Sequence, residues 1–189
     1  MLLNYLQERA KNCTMCHLRE GATQVVTWEN HIELPKIMII AEAPGEQEDK
    51  TGIPFQGAAG KMLDKILESL NLERGKDVHI TNIVKCRPPK NRTPTPNERR
   101  NCASLILEEE IQIIRPKAIL CLGLTSAQYF LGDDKKMGEL RGKDYDYMNI
   151  PLGVTYHPAY LIYNQGQKLP EIKRKVLEDI QGLLNRADL

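Results

Sequence analysis

Four short, unbroken apolar runs constrain this chain more than any other feature. They are residues 36–41 (KIMIIA), 78–84 (VHITNIV), 118–122 (AILCL) and 152–156 (LGVTY). Runs this short, without apolar/polar alternation, read as strands covered on both faces, and the segments between them carry helical periodicity. After Gly60, the residues Met62, Leu63, Ile66, Leu67 and Leu70 share one helix face. Thr95-Pro96-Asn97-Glu98 is a capping-box sequence with proline at the first helical position, and it starts a helix carrying Cys102, Leu105, Ile106 and Ile113. Pro170 opens a last helix with Ile172, Val176, Ile180 and Leu183 inward. Strands alternating with helices predict an α/β fold with a parallel sheet between helical layers. A length of 189 residues fits one domain, taken as residues 1–189.

The cysteines add a second constraint. Cys13, Cys16, Cys86 and Cys102 stand as C-x2-C, a 69-residue gap and C-x15-C, while Cys121 falls inside the third apolar run and reads as a small core residue. Four thiolates suit an iron–sulfur cluster or a zinc ion, and either would tie the N-terminus to the middle of the chain. A disulfide framework is the weaker alternative. The N-terminal MLLNYLQERAKNC has scattered charges and no apolar run of a signal peptide, and no stretch approaches the roughly 20 apolar residues of a membrane span. The expected location is cytoplasmic, where disulfides are rare and cysteine clusters bind metals.

In an open α/β sheet, ligands bind beyond the carboxyl ends of the strands. Residues able to do chemistry leave those ends: Glu42 after the first run, Asn82 near the end of the second and His157 after the fourth. The segment 42–55 (EAPGEQEDKTGIPF) holds Gly45 and Lys50-Thr51, yet no glycine stands immediately before the lysine, and Glu46, Glu48 and Asp49 would repel a phosphate. Lys plus Arg is 26 and Asp plus Glu is 25, so net charge alone indicates no partner. The distribution does: Lys85, Arg87, Lys90, Arg92, Arg99 and Arg100 face a single acid, Glu98, across a stretch with four of the eleven prolines. That stretch is a candidate phosphate-binding surface, with an ordinary solvated face as the alternative.

Together, EAPGEQEDKTGIPFQG, TNIVKCRPPKNRTPTPNE and YHPAYLI, with C-x2-C near the start, resemble the iron–sulfur (family four) uracil-DNA glycosylases from Cys13 to the final helix. The resemblance implies a three-layer α/β/α sandwich with a central four-stranded parallel sheet. It implies a structural 4Fe–4S cluster on Cys13, Cys16, Cys86 and Cys102, and a monomer that acts on DNA containing uracil. By the same resemblance, the base is flipped into a pocket, Phe55 stacks on it and Asn82 pairs with its O4 and N3–H. Glu48 would lie near the position of a thymine methyl. His157 would hydrogen-bond O2 and stabilise the leaving uracil anion. Ala43 occupies a base-site position where related glycosylases carry an aspartate, which leaves Glu42 as the nearest carboxylate for water or the sugar cation.

Two departures from the family pattern stand out: Ala41 replaces a usual glycine, and Tyr163 replaces a usual arginine. The segment Leu161, Ile162 and Tyr163 is expected to insert an apolar wedge where the base was. Lys85, Arg87, Lys90 and Arg92 are expected to meet DNA phosphates. A relative that has kept the cluster and lost catalysis is the alternative reading, as is a zinc module in an unrelated enzyme.

Overall fold

The computed structural model describes residues 2–28 and 34–189. The chain starts with helix α1 (Leu2–Lys11), which buries Leu3, Leu6 and Ala10. The short α2 (Leu18–Gly21) follows, then strand β1 (Ile37–Ala41), α3 (Glu46–Thr51), α4 (Ala58–Ser69) and β2 (Val78–Asn82). After a single 3-10 turn at Pro89–Asn91 come α5 (Pro96–Cys102) and α6 (Glu108–Ile114), joined through one π-helical stretch, Ala103–Leu107. Strand β3 (Ala118–Leu122), α7 (Leu124–Leu131), α8 (Met137–Leu140), β4 (Tyr145–Tyr147), β5 (Ile150–Thr155), α9 (Pro158–Tyr163) and α10 (Leu169–Arg186) complete the order.

The sheet runs β2-β1-β3-β5-β4. The four expected strands are β2, β1, β3 and β5, and every pairing among them is parallel. A fifth strand corrects the expectation of four. β4 pairs antiparallel with β5, Tyr147 opposite Ile150, and so forms a partly exposed edge. Its two-residue turn has Met148 at φ 51° and Asn149 at φ 62°. Such turns favour Asn-Gly, so methionine in the left-handed region concealed the hairpin from sequence reading.

Alternate residues of the strands feed two cores. Met38, Ile40, Ile119, Cys121 and Val154 pack with α1, α6 and α7 on one face. Ile37, Ile39, Val78, Leu120 and Leu122 pack with α4 and α10 on the other. Both faces are therefore apolar, which is why the strands read as continuous runs. The last helix buries Ile172, Val176, Ile180 and Leu183, the stripe its spacing predicted. In α5, Thr95 Oγ1 accepts from the Glu98 N–H at 3.3 Å, and a Glu98 carboxylate oxygen accepts from the Thr95 N–H at 2.7 Å. The capping box is therefore complete. Bidentate hydrogen bonds from Arg92 hold the Glu98 carboxyl down at about 2. The π-helical stretch begins directly after Cys102, and within it Leu105 is 38% exposed.

Candidate active site

The parallel strands end level with one another. Ala41 lies opposite Asn82, and Leu122 lies opposite Thr155. The sheet order changes direction around β1, with β2 on one side and β3 on the other, which is where an open α/β sheet forms its crevice. A cavity of about 350 Å³ opens there, lined by Glu42, Ala43, Glu48, Phe55, Asn82 and His157 among others. All six residues assigned to catalysis or base binding thus meet in one place.

Each is held by local chemistry. The segment after β2 continues alongside β1: Ile83 N–H donates to Ala41 O at 2.8 Å and Val84 N–H to Glu42 O at 3.3 Å. Asn82 is 2% exposed and opens only on the cavity. Neither its amide nor the Glu42 carboxylate makes a side-chain hydrogen bond among the described residues. The Asn82 amide opens on the cavity, where a ligand can supply the hydrogen-bond partners that the protein does not. Glu48 contrasts with Glu42. One Glu48 oxygen accepts from Gln56 N–H at 2.8 Å and Gly57 N–H at 3.0 Å, and the other accepts from Gly45 N–H at 3.0 Å. Of the two acids on the cavity, Glu42 alone has uncommitted oxygens, while Glu48 braces the wall.

His157 caps α9. Its Nδ1 accepts the Ala159 backbone N–H at 3.1 Å, so the neutral ring carries its proton on Nε2. Burial drives its pKa down to about 4, against a weaker opposing pull from the Glu48 carboxylate. Gly123, at φ 93°, makes room for it, because a β-carbon there would stand 3.2 Å from His157 Cβ. Phe55 lies near-parallel to the imidazole, centroids 5.7 Å apart and planes at 26°. Its backbone is in the left-handed region at φ 55°. Gly60 permits this, since a β-carbon on Gly60 would fall 1.8 Å from the Phe55 carbonyl oxygen.

Residues 31–181 match the family described as the Uracil DNA glycosylase superfamily. The chain is 42% identical over 186 residues to the type-4 uracil-DNA glycosylase of Thermotoga maritima, covering 95% of this chain and 92% of that one. It is 35% identical over 180 residues to the type-4 enzyme of Archaeoglobus fulgidus, covering 91% and 86%. A type-5 uracil-DNA glycosylase of Pyrobaculum aerophilum is 32% identical over 161 residues, covering 75% and 69%. The chain belongs to the uracil-DNA glycosylase superfamily. Its four framing cysteines, Cys13, Cys16, Cys86 and Cys102, line one small cavity with apolar neighbours that include Leu18 and Ile106. Among the described residues no carboxylate lines it, and the four thiols supply soft donors. Burial, with the neighbouring thiols, pushes Cys86 up to about 12, and burial pushes Cys102 up to about 11. Thiols so placed ionise only beside a strong positive charge, which a bound metal provides. The Lys85 N–H donates to Cys102 Sγ at 3.4 Å, a contact of the kind that tunes thiolate ligands. The residues therefore fit an iron–sulfur group. Among the described residues, no three His, Cys, Asp or Glu side chains form a ligand set for a single metal ion.

Two expected DNA contacts of this glycosylase fold are corrected. Lys85 is 1% exposed and its Nζ donates to Glu110 at 2.7 Å, so it cannot reach a phosphate. Leu161 is fully buried at 0% and packs into the core shared with α4 and α10, because residues 158–163 form a helix and turn it inward. Arg87, Lys90 and Arg92 lie outside the core, as do Ile162 and Tyr163, the last 85% exposed. Arg87 Nε donates to Asn91 at 2.7 Å, and Asn91 and Arg92 line the cavity. Sequence reading missed Arg74, whose guanidinium donates to the Pro54 carbonyl and, at 3.2 Å, to the Phe55 carbonyl. No local pattern marks an arginine that acts on a loop 19 residues away.

Proposed function

We propose that this chain hydrolyses the bond joining uracil to deoxyribose in DNA. The observation that carries the reading is the unengaged Asn82 amide, buried at a strand end and opening on a cavity walled by Phe55 and a neutral His157. Uracil leaves the duplex to enter the cavity. Phe55 stacks on the ring, and Asn82 donates to O4 and accepts from N3–H. Cytosine presents the reverse polarity there, so it leaves a buried amide unpaired and is rejected. Glu48, fixed by three backbone N–H groups, holds the wall that a thymine methyl would meet.

The C1′–N1 bond breaks with its electron pair going to N1. His157 Nε2–H donates to O2 and stabilises the resulting anion; one such donor contributes about 10²–10³ in rate. The lowered pKa keeps the ring neutral, so it donates without giving up its proton. A water oxygen adds to C1′. Glu42 positions this water or stabilises the sugar cation, because its carboxylate is the uncommitted one and Ala43 offers none. Arg87, Lys90 and Arg92 contact phosphates, while Ile162 and Tyr163 meet the duplex beside the flipped base. Cys13, Cys16, Cys86 and Cys102 hold a 4Fe–4S cluster whose role is structural. It supplies no step of the reaction and braces the loop that follows β2.

The test is excision from a U·G duplex, read as alkali-labile strand breaks, beside iron and zinc analysis of anaerobically purified protein. Breaks at uracil with iron present are expected. Tight DNA binding with no breaks at any salt concentration supports the DNA-binding alternative, and stoichiometric zinc without iron overturns the cluster assignment.

A further inference from the structure

The buried charge pair under the active site has no part in the reaction as described. Lys85 and Glu110 are 1% and 0% exposed, and their charged atoms lie 2.7 Å apart. Around them, His79 Nε2 is 2.8 Å from the second Glu110 oxygen, and the Thr81 hydroxyl donates to the first at 3.2 Å. The Lys85 ammonium also donates to Thr81 Oγ1, and it lies 5.9 Å from the centre of the Trp28 ring. Its third donor is spent on the backbone carbonyl of Asn82, at 2.9 Å.

Such a pair is poor value as a stabiliser. Desolvating both charges offsets most of their attraction, and well-packed apolar replacements are often as stable. What this pair does have is directionality. Strand β2 is at the sheet edge, so among the described residues no further strand takes its outward carbonyls. Asn82 is its last residue, and its side chain has no hydrogen-bond partner among the described residues to set its orientation. The carbonyl clamp therefore completes the hold on the peptide from which the Asn82 amide projects, whose other side, the Ile83 N–H, donates to Ala41 O at 2.8 Å. Lys85 also bounds the cysteine cavity: its backbone N–H donates to Cys102 Sγ at 3.4 Å, and its ammonium charge favours the Cys102 thiolate.

We propose that Lys85 is a positioning residue for base recognition: its ammonium, locked by Glu110, clamps the Asn82 carbonyl and so aims the Asn82 amide into the cavity. This rests on the glycosylase reading, which excision by the unaltered protein tests separately.

The experiment uses the paired substitution Lys85→Met with Glu110→Gln, which leaves no unpaired buried charge. The glutamine can still bond His79 and Thr81. Expected are a melting temperature within a few degrees of the unaltered protein and unchanged iron per chain, since the backbone hydrogen bond to Cys102 is kept and all four thiols remain. kcat/KM on a U·G duplex should fall by roughly 10- to 100-fold, the scale of a displaced binding group. Adding Asn82→Ala should then cost little more, because both changes remove one function. Activity within about twofold of the unaltered protein overturns the proposal. So does loss of iron alongside activity, or an Asn82→Ala penalty that adds in full.

Should the paired variant not fold, the unaltered protein decides. The slowly exchanging ¹⁵N signal of the Lys85 ammonium should shift when a duplex bearing 2′-fluoro-deoxyuridine binds, its fluorine blocking cleavage. An unmoved signal at saturation overturns the clamp.

Discussion

At the scale of single residues, chemistry is set by which polar atoms are already satisfied. Glu42 and Glu48 are near neighbours on the same cavity, yet three backbone N–H groups occupy Glu48 and none of the hydrogen bonds among the described residues engages the Glu42 carboxylate. His157 is the sharper case. Its pKa of about 4 lies below the ordinary value near 6.5, chiefly through burial. The acid limb of kcat/KM should therefore fall near pH 4 rather than near 6.5, as a pH–rate profile would show. Between those values the unfolded chain binds a proton that the fold refuses, so stability should decline as pH drops through that window, measurable by thermal melts. A limb at 6.5 would mean a solvated ring. His157→Ala should cost about 10²–10³ in single-turnover rate. Asn82→Asp should relax base choice, because a carboxyl that can take up a proton presents different donors; an intact uracil preference would remove Asn82 as reader. The strand-end positions of Glu42, Asn82 and His157 were legible in sequence because apolar runs mark strand ends. The His157 tautomer was not, since a backbone N–H in α9 sets it.

At the scale of elements, the loop from α3 to α4 and the helix α9 decide what faces the substrate. Phe55 has an inverted backbone, and a β-carbon on Gly60 would overlap its carbonyl. Gly60→Ala should then cost at least the 1–3 kcal/mol of ordinary overpacking and lower kcat/KM by displacing Phe55, read by melts and steady-state kinetics side by side. Two residues of α9 should separate cleanly. Leu161→Ala, in the core, should lose about 2–5 kcal/mol of stability. Tyr163→Ala, on an exposed face, should leave the melting temperature nearly unchanged and weaken DNA binding several-fold in a titration. Equal effects on stability would contradict the inward turn of α9. The helices α4, α5 and α10 were readable from caps and spacing. The β4 hairpin and the π-helical stretch after Cys102 were not, because the turn lacks glycine and no composition marks an inserted helical residue.

At the scale of the whole molecule, the four cysteines bring the segment between α1 and α2, the loop after β2 and the end of α5 around one cavity. Cys86→Ser should bleach the protein, lower its melting temperature and raise KM for DNA before it changes the single-turnover rate; absorbance, melts and kinetics check the order. A fall in bond-breaking rate alone would make the site catalytic rather than a brace. The sequence by itself determined the layer order, the parallel strands and the gathering of three polar residues at one sheet end, since hydrophobic periodicity and strand length are local properties. It also carried the cysteine frame and the family resemblance. Only the tertiary structure decided which of those residues are free to react. Burial turned Lys85 from an apparent phosphate contact into a donor to the Asn82 carbonyl and Leu161 from a wedge into core, and three backbone N–H groups fixed Glu48 on the cavity wall. The physical reason is common to all three: a side chain's role follows from which groups surround it, and those neighbours come from sequence positions far away.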